Sequence, residues 1–327
     1  MVVCFNRRIL FVLLFLILVP YSILANEQTS SNALQLIEKS KTLLEGKDYD
    51  SAIITLNAAI QVDPQHSESY FLRGNAYLLK KQYDFAIADY SSAIQMKSQY
   101  TDAYYNRGSA YFILNKYDSA LTDFTKCIEI DTQYTSAYFK RGLTYTAQEQ
   151  YALAIGDYTK TIQLAPQFAG SYEMRGLTYD MKNQYDLAIE DYSKLIELYP
   201  QYLAGYINRG NAYIHKSKYD LAIIDFTKII EIEPKNYQAY YGRGVSYGCK
   251  QQFDSAISDL SQAIEINPLY SKSYNNRGVF YAITGRPELA KSDFQKALEV
   301  NPQFLEALKN LELISSNSQS MMFNIKL

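Results

Sequence analysis

One segment of 34 residues is repeated along most of this chain, and its fixed spacing constrains the fold more than any other feature. The segment 203–236 reads LAGYINRGNAYIHKSKYDLAIIDFTKIIEIEPKN, and its marker positions recur 34 residues before and after. The clearest marker is a glycine ladder formed by Gly74, Gly108, Gly142, Gly176, Gly210, Gly244 and Gly278. Self-similarity at one period of this length predicts an array of stacked repeats instead of a single core.

Apolar residues within the segment recur at helical spacing in two blocks. In the first block, Tyr206, Gly210 and Tyr213 lie four and three residues apart, so they share one face of a helix. The second block, 220–232, shows the same spacing and is followed by Pro234, which ends a helix because proline lacks the amide hydrogen. The pattern predicts a helix, a short polar turn and a second, antiparallel helix.

The small residues of the segment predict close contact between its two helices. Gly210 has no side chain and Ala222 has only a methyl group, so the two backbones can approach each other at that level. A glycine inside a helix costs roughly 0.5–1 kcal/mol relative to alanine, and the close approach must offset this cost in every repeat.

The order of these markers resembles the tetratricopeptide repeat, whose signature is W-x2-L-G-x2-Y, then A-x3-F, then P. Gly210, Tyr213, Ala222, Phe226 and Pro234 match it directly. Tyr stands in the Trp place and Arg in the Leu place, and both departures recur in seven consecutive repeats. The resemblance implies an all-α fold, a right-handed superhelical α-solenoid of antiparallel helix pairs.

The repeats account for most of the chain without insertion or deletion. The eight predicted repeats occupy 33–66, 67–100, 101–134, 135–168, 169–202, 203–236, 237–270 and 271–304. Around them we predict a signal peptide at 1–25, a polar linker at 26–32, a capping helix at 303–314 and a disordered tail at 315–327.

The N-terminal residues have the features of a secretory signal. Arg7 and Arg8 precede the apolar run ILFVLLFLILV, and a cut after Ala25 fits the small residue there. The alternative is an uncleaved membrane anchor at 9–25, although a bilayer-spanning helix needs about 20 residues. We therefore expect an exported protein of the periplasm, the cell envelope or the secretory lumen, with membrane contact only through such an anchor.

Composition argues against several classes of function. The formal net charge is −2, and lysines and acids are interspersed in each repeat, so we expect no nucleic-acid partner. The histidines, His66 and His215, and the cysteines lie in different repeats or outside them, so we expect no metal, cofactor or disulfide. Because the repeats leave no room for a catalytic domain, we expect no enzymatic activity.

An arginine before each glycine of the ladder is matched by an aspartate in the second helix of the same repeat. The pairs are Arg73–Asp89, Arg107–Asp123, Arg141–Asp157, Arg175–Asp191, Arg209–Asp225, Arg243–Asp259 and Arg277–Asp293. Their shared register predicts a ladder of Arg–Asp contacts within or between repeats, with a structural role.

The resemblance also implies that the first helices line a concave groove that binds an extended peptide or a helix of a partner protein. The alternative for any one asparagine there is that it only solvates the groove. The candidate binding residues are Phe71, Asn75, Leu78, Tyr105, Asn106, Phe112, Phe139, Lys140, Asn208, Asn211, Tyr241, Asn275 and Asn276.

A sharper version of this site receives only partial support. Family members that bind a C-terminal carboxylate use two lysines, two asparagines and one further basic residue, and Asn75, Asn106 and Lys140 fall on three of these five places. Phe71 and Ser136 replace the two lysines, so most of the positive charge is missing. We therefore predict a non-enzymatic protein–protein interaction scaffold, or alternatively a structural or assembly factor for envelope or polysaccharide-export machinery.

Overall fold

A computed structural model describes residues 31–315 of the chain, in which every regular element is an α-helix. The predicted signal peptide (1–25), nearly all of the predicted linker (26–32) and all but the first residue of the predicted tail (315–327) lie outside the described residues. The remaining chain divides into two units, an N-terminal half that ends at Leu164 and a C-terminal half that begins at Ala165.

The helices follow one another in pairs that match the predicted repeats. In the N-terminal half they are α1 (described over 31–45), α2 (Tyr49–Val62), α3 (Ser67–Leu79), α4 (Tyr83–Met96), α5 (Thr101–Ile113), α6 (Tyr117–Ile130), α7 (Thr135–Ala147) and α8 (Tyr151–Leu164). In the C-terminal half they are α9 (Ala169–Met181), α10 (Tyr185–Leu198), α11 (Leu203–His215), α12 (Tyr219–Ile232), α13 (Tyr237–Cys249), α14 (Phe253–Ile266), α15 (Ser271–Ile283), α16 (Pro287–Val300) and α17 (Leu305–Ser315).

Each pair is a helical hairpin, with an odd-numbered first helix packed against the even-numbered second helix that follows it. One residue with positive φ ends the first helix, as Lys81 does with φ 59°, and the amide of Gln82 then bonds back to the carbonyl of Tyr77 at 2.8 Å. The equivalent residues are Lys47, Asn115, Glu149, Asn183, Ser217, Gln251 and Gly285. The turn is therefore the same throughout, although only the last repeat places glycine at the left-handed position.

Along most of the glycine ladder a ring of the second helix lies against the glycine, so the close approach of the two helices brings a ring as well as the backbone to this position. A Cβ added at Gly176 would lie 2.6 Å from Cε1 of Tyr192, and one at Gly210 would lie 2.9 Å from Cζ of Phe226. At Gly244 and at Gly278 a backbone carbonyl of the second helix also lies 3.2 Å away, and the side chain against Gly244 is Leu260 instead of a ring. In the other six repeats of the ladder the glycine is needed because a fully buried aromatic ring lies against it.

The predicted Arg–Asp ladder is confirmed, and each pair lies within one repeat. The guanidinium donates from Nε and Nη2 to the two carboxylate oxygens, at 2.6–2.9 Å in all seven pairs. Nη1 donates to a side-chain oxygen of the preceding repeat in the same half: a hydroxyl, as in Arg107 to Ser91 at 2.9 Å and Arg243 to Thr227 at 3.2 Å, or, for Arg73, the amide oxygen of Asn57. The arginine therefore joins three helices of two neighbouring repeats.

The last helix covers the end of the C-terminal half. Helix α17 packs against α15 and α16 and buries Ala307, Asn310 and Ile314. Ile314 belongs to the same apolar cluster as Phe280 and Phe294, which otherwise would lie at the end of the stack. The amphipathic pattern of the helix thus continues the stacking for one more layer.

Candidate partner-binding surface

The first helices lie on the inner side of the stack within each half. In the N-terminal half α3 contacts α5, and α5 contacts α7; in the C-terminal half α9, α11, α13 and α15 contact one another in sequence. Among the described helices, consecutive second helices show no comparable packing. Because elements on the inside of a curve are closer together, we call the surface formed by these first helices the inner face.

Three aromatic side chains, one per repeat, form a stripe on the inner face of the N-terminal half. Phe71, Tyr105 and Phe139 are half-buried and stand 34 residues apart. The ring of Phe71 lies 4.8 Å from that of Tyr100, and the ring of Tyr105 lies 5.3 Å from that of Tyr134. The rings of Tyr100 and Tyr134 therefore restrict the orientations of Phe71 and Tyr105. Burial raises the pKa of Tyr100 to about 12, so its phenol stays neutral.

An amide pair lies beside this stripe and joins two neighbouring first helices. The Oδ1 of Asn75 accepts hydrogen bonds from the Tyr90 hydroxyl at 2.8 Å and from Nδ2 of Asn106 at 2.9 Å. Burial raises the pKa of Tyr90, so this hydroxyl remains a donor. Both asparagines are half-buried, and these two bonds leave Nδ2 of Asn75 and Oδ1 of Asn106 unused.

A cation and an aromatic ring meet further along the same face. The Nζ of Lys140 lies 5.9 Å from the ring centroid of Phe112, which in turn lies 5.8 Å from the ring of Tyr117. Among the described residues Lys140 has no carboxylate within ion-pair distance. Leu78, which precedes Phe112 by one repeat, is half-buried at the equivalent position. The N-terminal half thus combines apolar anchors, amides and one uncompensated positive charge.

The structure separates the predicted residues of the C-terminal half into two groups. Asn208 is half-buried and Asn211 is exposed, so both are available at the inner face. Asn275 and Asn276 are instead buried, at 1% and 5% exposure. Nδ2 of Asn275 donates to Asn276 at 3.1 Å, and Nδ2 of Asn276 donates to the Tyr241 hydroxyl at 3.1 Å. Helix α17 packs beside them through Asn310, so these two asparagines line a partly covered pocket and not the open part of the inner face.

Asp180 was missed in the sequence, although it lies at the position equivalent to Leu78 and Phe112. Its Oδ2 accepts a hydrogen bond from the Tyr192 hydroxyl at 2.6 Å, and its Oδ1 is buried without a partner. Burial raises the pKa of this carboxyl, and the hydrogen bond from Tyr192 and the nearby His215 oppose the shift. The available signal was a tyrosine at position 192, where five of the other seven repeats carry phenylalanine or leucine.

The same signal recurs wherever the second helix carries tyrosine at this place. Tyr90 bonds to Asn75, Tyr158 lies 2.9 Å from the hydroxyl of Thr146, and Tyr192 bonds to Asp180. Each buried phenol therefore has a polar partner on the preceding first helix, as buried hydroxyls require. Over residues 31–315 no group of three or more His, Cys, Asp or Glu side chains is arranged to hold a metal ion.

Stacked helical hairpins with an inner face of first helices define an α-solenoid repeat protein. Models of the tetratricopeptide repeat match residues 101–134, 204–236 and 271–304, and, in a second version, 36–66, 135–168, 169–202 and 237–268. A further model described as TPR repeat matches 74–114. The chain therefore belongs to the tetratricopeptide repeat family.

Solved structures with the same fold include several repeat proteins. A MamA protein is 27% identical, with a TM-score of 0.50 over 52% of this chain and 92% of that chain. A tetratricopeptide repeat protein from Parabacteroides merdae is 21% identical (TM-score 0.54; 87% and 99% covered), and the C-terminal part of one from Cytophaga hutchinsonii is 18% identical (TM-score 0.58; 84% and 99% covered). The last two show a shared fold only. A search of curated proteins finds no match.

Proposed function

We propose that this protein is a non-enzymatic scaffold that binds a peptide or helical segment of a partner protein on its inner face. Tetratricopeptide repeat proteins are in general non-catalytic scaffolds, and the fold is consistent with protein–protein interaction. The observation that carries the proposal is the stripe of Phe71, Tyr105 and Phe139, accompanied by the Asn75–Asn106 amide pair and by Lys140. Ordered aromatic anchors supply most of the affinity in many interfaces.

The chemistry of this surface favours a segment with apolar side chains and at least one acidic residue. The aromatic rings are held by their neighbours before binding, so little side-chain entropy is lost when a partner covers them. The amide pair can bond to the main chain of any partner segment, whereas Lys140 requires a carboxylate to be compensated. Specificity would therefore come from the spacing of apolar and acidic groups in the partner.

For location we propose an exported protein, because the apolar run that ends before Ala25 has the composition of a secretory signal. In the described part of the chain, no helix combines the length and the apolar character that crossing a membrane requires. The alternative proposal, an assembly factor for envelope or polysaccharide-export machinery, requires a membrane neighbour. Fractionation of the native cells with and without detergent separates the two proposals.

Combined replacement of Asn106 and Phe112 by alanine is expected to reduce partner binding at least tenfold. The change removes one amide of the pair and the ring under Lys140, and the loss of one interface anchor commonly costs about 2 kcal/mol or more. The measurement is quantitative co-purification from the native compartment, with each captured protein compared between the wild-type and variant chains.

The matched control replaces Phe85 and Gln95 by alanine, because both are exposed on the second helix α4. This pair removes an exposed amide and an exposed ring from a second helix, where Phe85 lies 5.2 Å from the ring of Tyr77 at the side of the hairpin. We expect the control to retain its partners. Equal retention by the inner-face variant, at unchanged helicity, would show that this surface does not bind the partner.

A further inference from the structure

A pocket of about 260 Å³ lies on the inner face of the C-terminal half, where α13 and α15 meet the start of α17. The pocket is separate from the aromatic stripe, which belongs to the N-terminal half. Its lining residues are Tyr241, Lys272, Asn275, Asn276, Phe304 and Glu306.

A chain of hydrogen bonds runs through the wall of this pocket in one direction. Nδ2 of Asn310 donates to Asn275 at 3.0 Å, Asn275 donates to Asn276, and Asn276 donates to the Tyr241 hydroxyl. A side-chain amide carries two hydrogens and each of these bonds uses one, while the tyrosine oxygen acts here as the acceptor. The second hydrogens of Asn275 and Asn276 and the hydroxyl hydrogen of Tyr241 are not used by these bonds, and all three residues line the pocket.

Docking of the last helix explains only part of this chain. The bond between Asn310 and Asn275 holds α17, but the extension to Asn276 and Tyr241 leads away from α17 and into the pocket wall. Buried amides are costly unless each of their groups finds a partner. Oδ1 and Nδ2 of Asn276 each have one partner, and a ligand in the pocket could accept a further hydrogen bond from the second amide hydrogen.

The size and charge of the pocket select the ligand. Sites for small molecules and cofactors usually measure about 300–1,000 Å³, so this smaller pocket suits a single side chain. Lys272 and Glu306 both line it and both are exposed, so their charges compensate each other and a neutral group is favoured over an ion. The wall offers N–H and O–H donors together with the acceptor oxygens of Glu306.

We propose that this pocket binds the side-chain carboxamide of a glutamine or asparagine in the partner segment, an inference that rests on the proposed function. The carboxamide oxygen accepts from Tyr241 and Asn276, and its amino group donates to Glu306. Phe304 covers the methylene groups of the same side chain. The carboxamide carries an acceptor oxygen and an amino donor on one planar group, and its methylene stem supplies the apolar surface that a hydroxyl lacks.

The test uses three blocked amino acids, the N-acetyl methylamides of glutamine, glutamate and methionine, titrated into the isotope-labelled full chain. Backbone chemical shifts of α13, α15 and α17 report binding. We expect the glutamine probe to bind at least tenfold more tightly than the other two. Equal dissociation constants for the three probes, or the absence of a saturable shift in these helices, would overturn the proposal.

Two variants decide which groups hold the probe. Tyr241→Phe is expected to weaken glutamine binding about threefold to tenfold, because one hydrogen bond is lost. Glu306→Gln is expected to weaken glutamine binding about fivefold and to strengthen glutamate binding, because a charged acceptor that repels a carboxylate is removed. If Glu306→Gln strengthens both probes equally, or Tyr241→Phe changes nothing, the carboxamide assignment is wrong.

The matched control is Tyr240→Phe, which removes the neighbouring hydroxyl from a ring that lies over Arg243, outside the pocket. This variant is expected to bind the glutamine probe as the wild-type chain does. The outcome is separable from that of the proposed function. Loss of partner in the Asn106 and Phe112 variant, together with no probe binding, would refute the pocket alone.

Discussion

Replacement of Asp225 by alanine is expected to lower the free energy of unfolding by about 3–5 kcal/mol. Its carboxylate is 3% exposed and accepts two hydrogen bonds from Arg209, at 2.9 Å from Nε and 2.7 Å from Nη2. Burial raises the pKa of Asp225, and Arg209 opposes this shift. Removal of the carboxylate leaves the Arg209 guanidinium, which is only 19% exposed, without its counter-charge. An uncompensated charge at this degree of burial is what destabilises the folded state.

The effect extends beyond one repeat because Nη1 of Arg209 also donates to Ser193 of the preceding repeat, at 3.0 Å. Urea unfolding monitored by circular dichroism measures the loss, and the slope m shows whether the array still unfolds cooperatively. In a double-mutant cycle with Arg209→Ala, the two single losses should exceed the loss in the double variant.

An exposed ion pair on the same helix supplies the control for this cycle. Lys228 and Glu231 lie 2.9 Å apart with 47% and 59% of their side chains exposed. Their replacement by alanine is expected to change stability by less than about 0.5 kcal/mol, because solvent screens such pairs. Strict additivity of the Arg209 and Asp225 variants, or a loss for Asp225→Ala as small as that of the control, would contradict the structural role of the ladder.

Replacement of Gly248 by alanine is expected to destabilise the C-terminal half by about 1–3 kcal/mol, since a core overpacked by one methyl group must move. A Cβ at this position would lie 2.0 Å from Cζ of Phe280, whose ring is 1% exposed and packs in a cluster with Leu260 and Phe294. Replacement of Phe280 by alanine should cost about 3–5 kcal/mol, because it leaves a cavity.

An earlier pair of repeats shows how the two positions can be exchanged. Leu78 and Ala110 are the equivalents of Gly248 and Phe280 five repeats earlier, with the large and small residues reversed. The double variant Gly248→Leu with Phe280→Ala should therefore be more stable than Phe280→Ala alone, by at least about 1 kcal/mol. Urea midpoints of the wild-type chain, both single variants and the double variant measure this coupling.

The control is Gly156→Ala, because nothing lies within 4 Å of the Cβ that it adds to the exposed face of α8. This variant is expected to be unchanged or stabilised by up to about 1 kcal/mol, since alanine favours a helix over glycine. Equal effects of Gly248→Ala and Gly156→Ala would show that close packing is not what requires glycine at position 248.

The period of 34 was sufficient to predict the hairpins and their order, because every repeat carries the same marker residues on the same helical faces. The Arg–Asp pairs followed from their common register. Their burial and the additional bond to the preceding repeat did not follow, since these depend on how repeats stack. The small residues predicted the close approach of the two helices, but how tightly the ring of Phe226 or Tyr192 lies against the glycine depends on packing that the register does not reveal.

The candidate site was predictable only in part, because register places a residue on a face but does not reveal what covers it. Asn75, Asn106 and Lys140 stay on the inner face as the register predicts. Asn275 and Asn276 share that register but are buried under α17, whose position depends on the end of the array. The burial of these two asparagines could not be predicted from the repeat pattern, because α17 is not part of any repeat.

Photo-cross-linking from the inner face tests the central claim most directly. A benzophenone amino acid at Ser109, which is half-buried on α5 between Tyr105 and Phe112, should cross-link the partner in the native compartment. The same amino acid at Thr122, exposed on the second helix α6, should not. Cross-linking from Thr122 without cross-linking from Ser109 would contradict binding on the inner face.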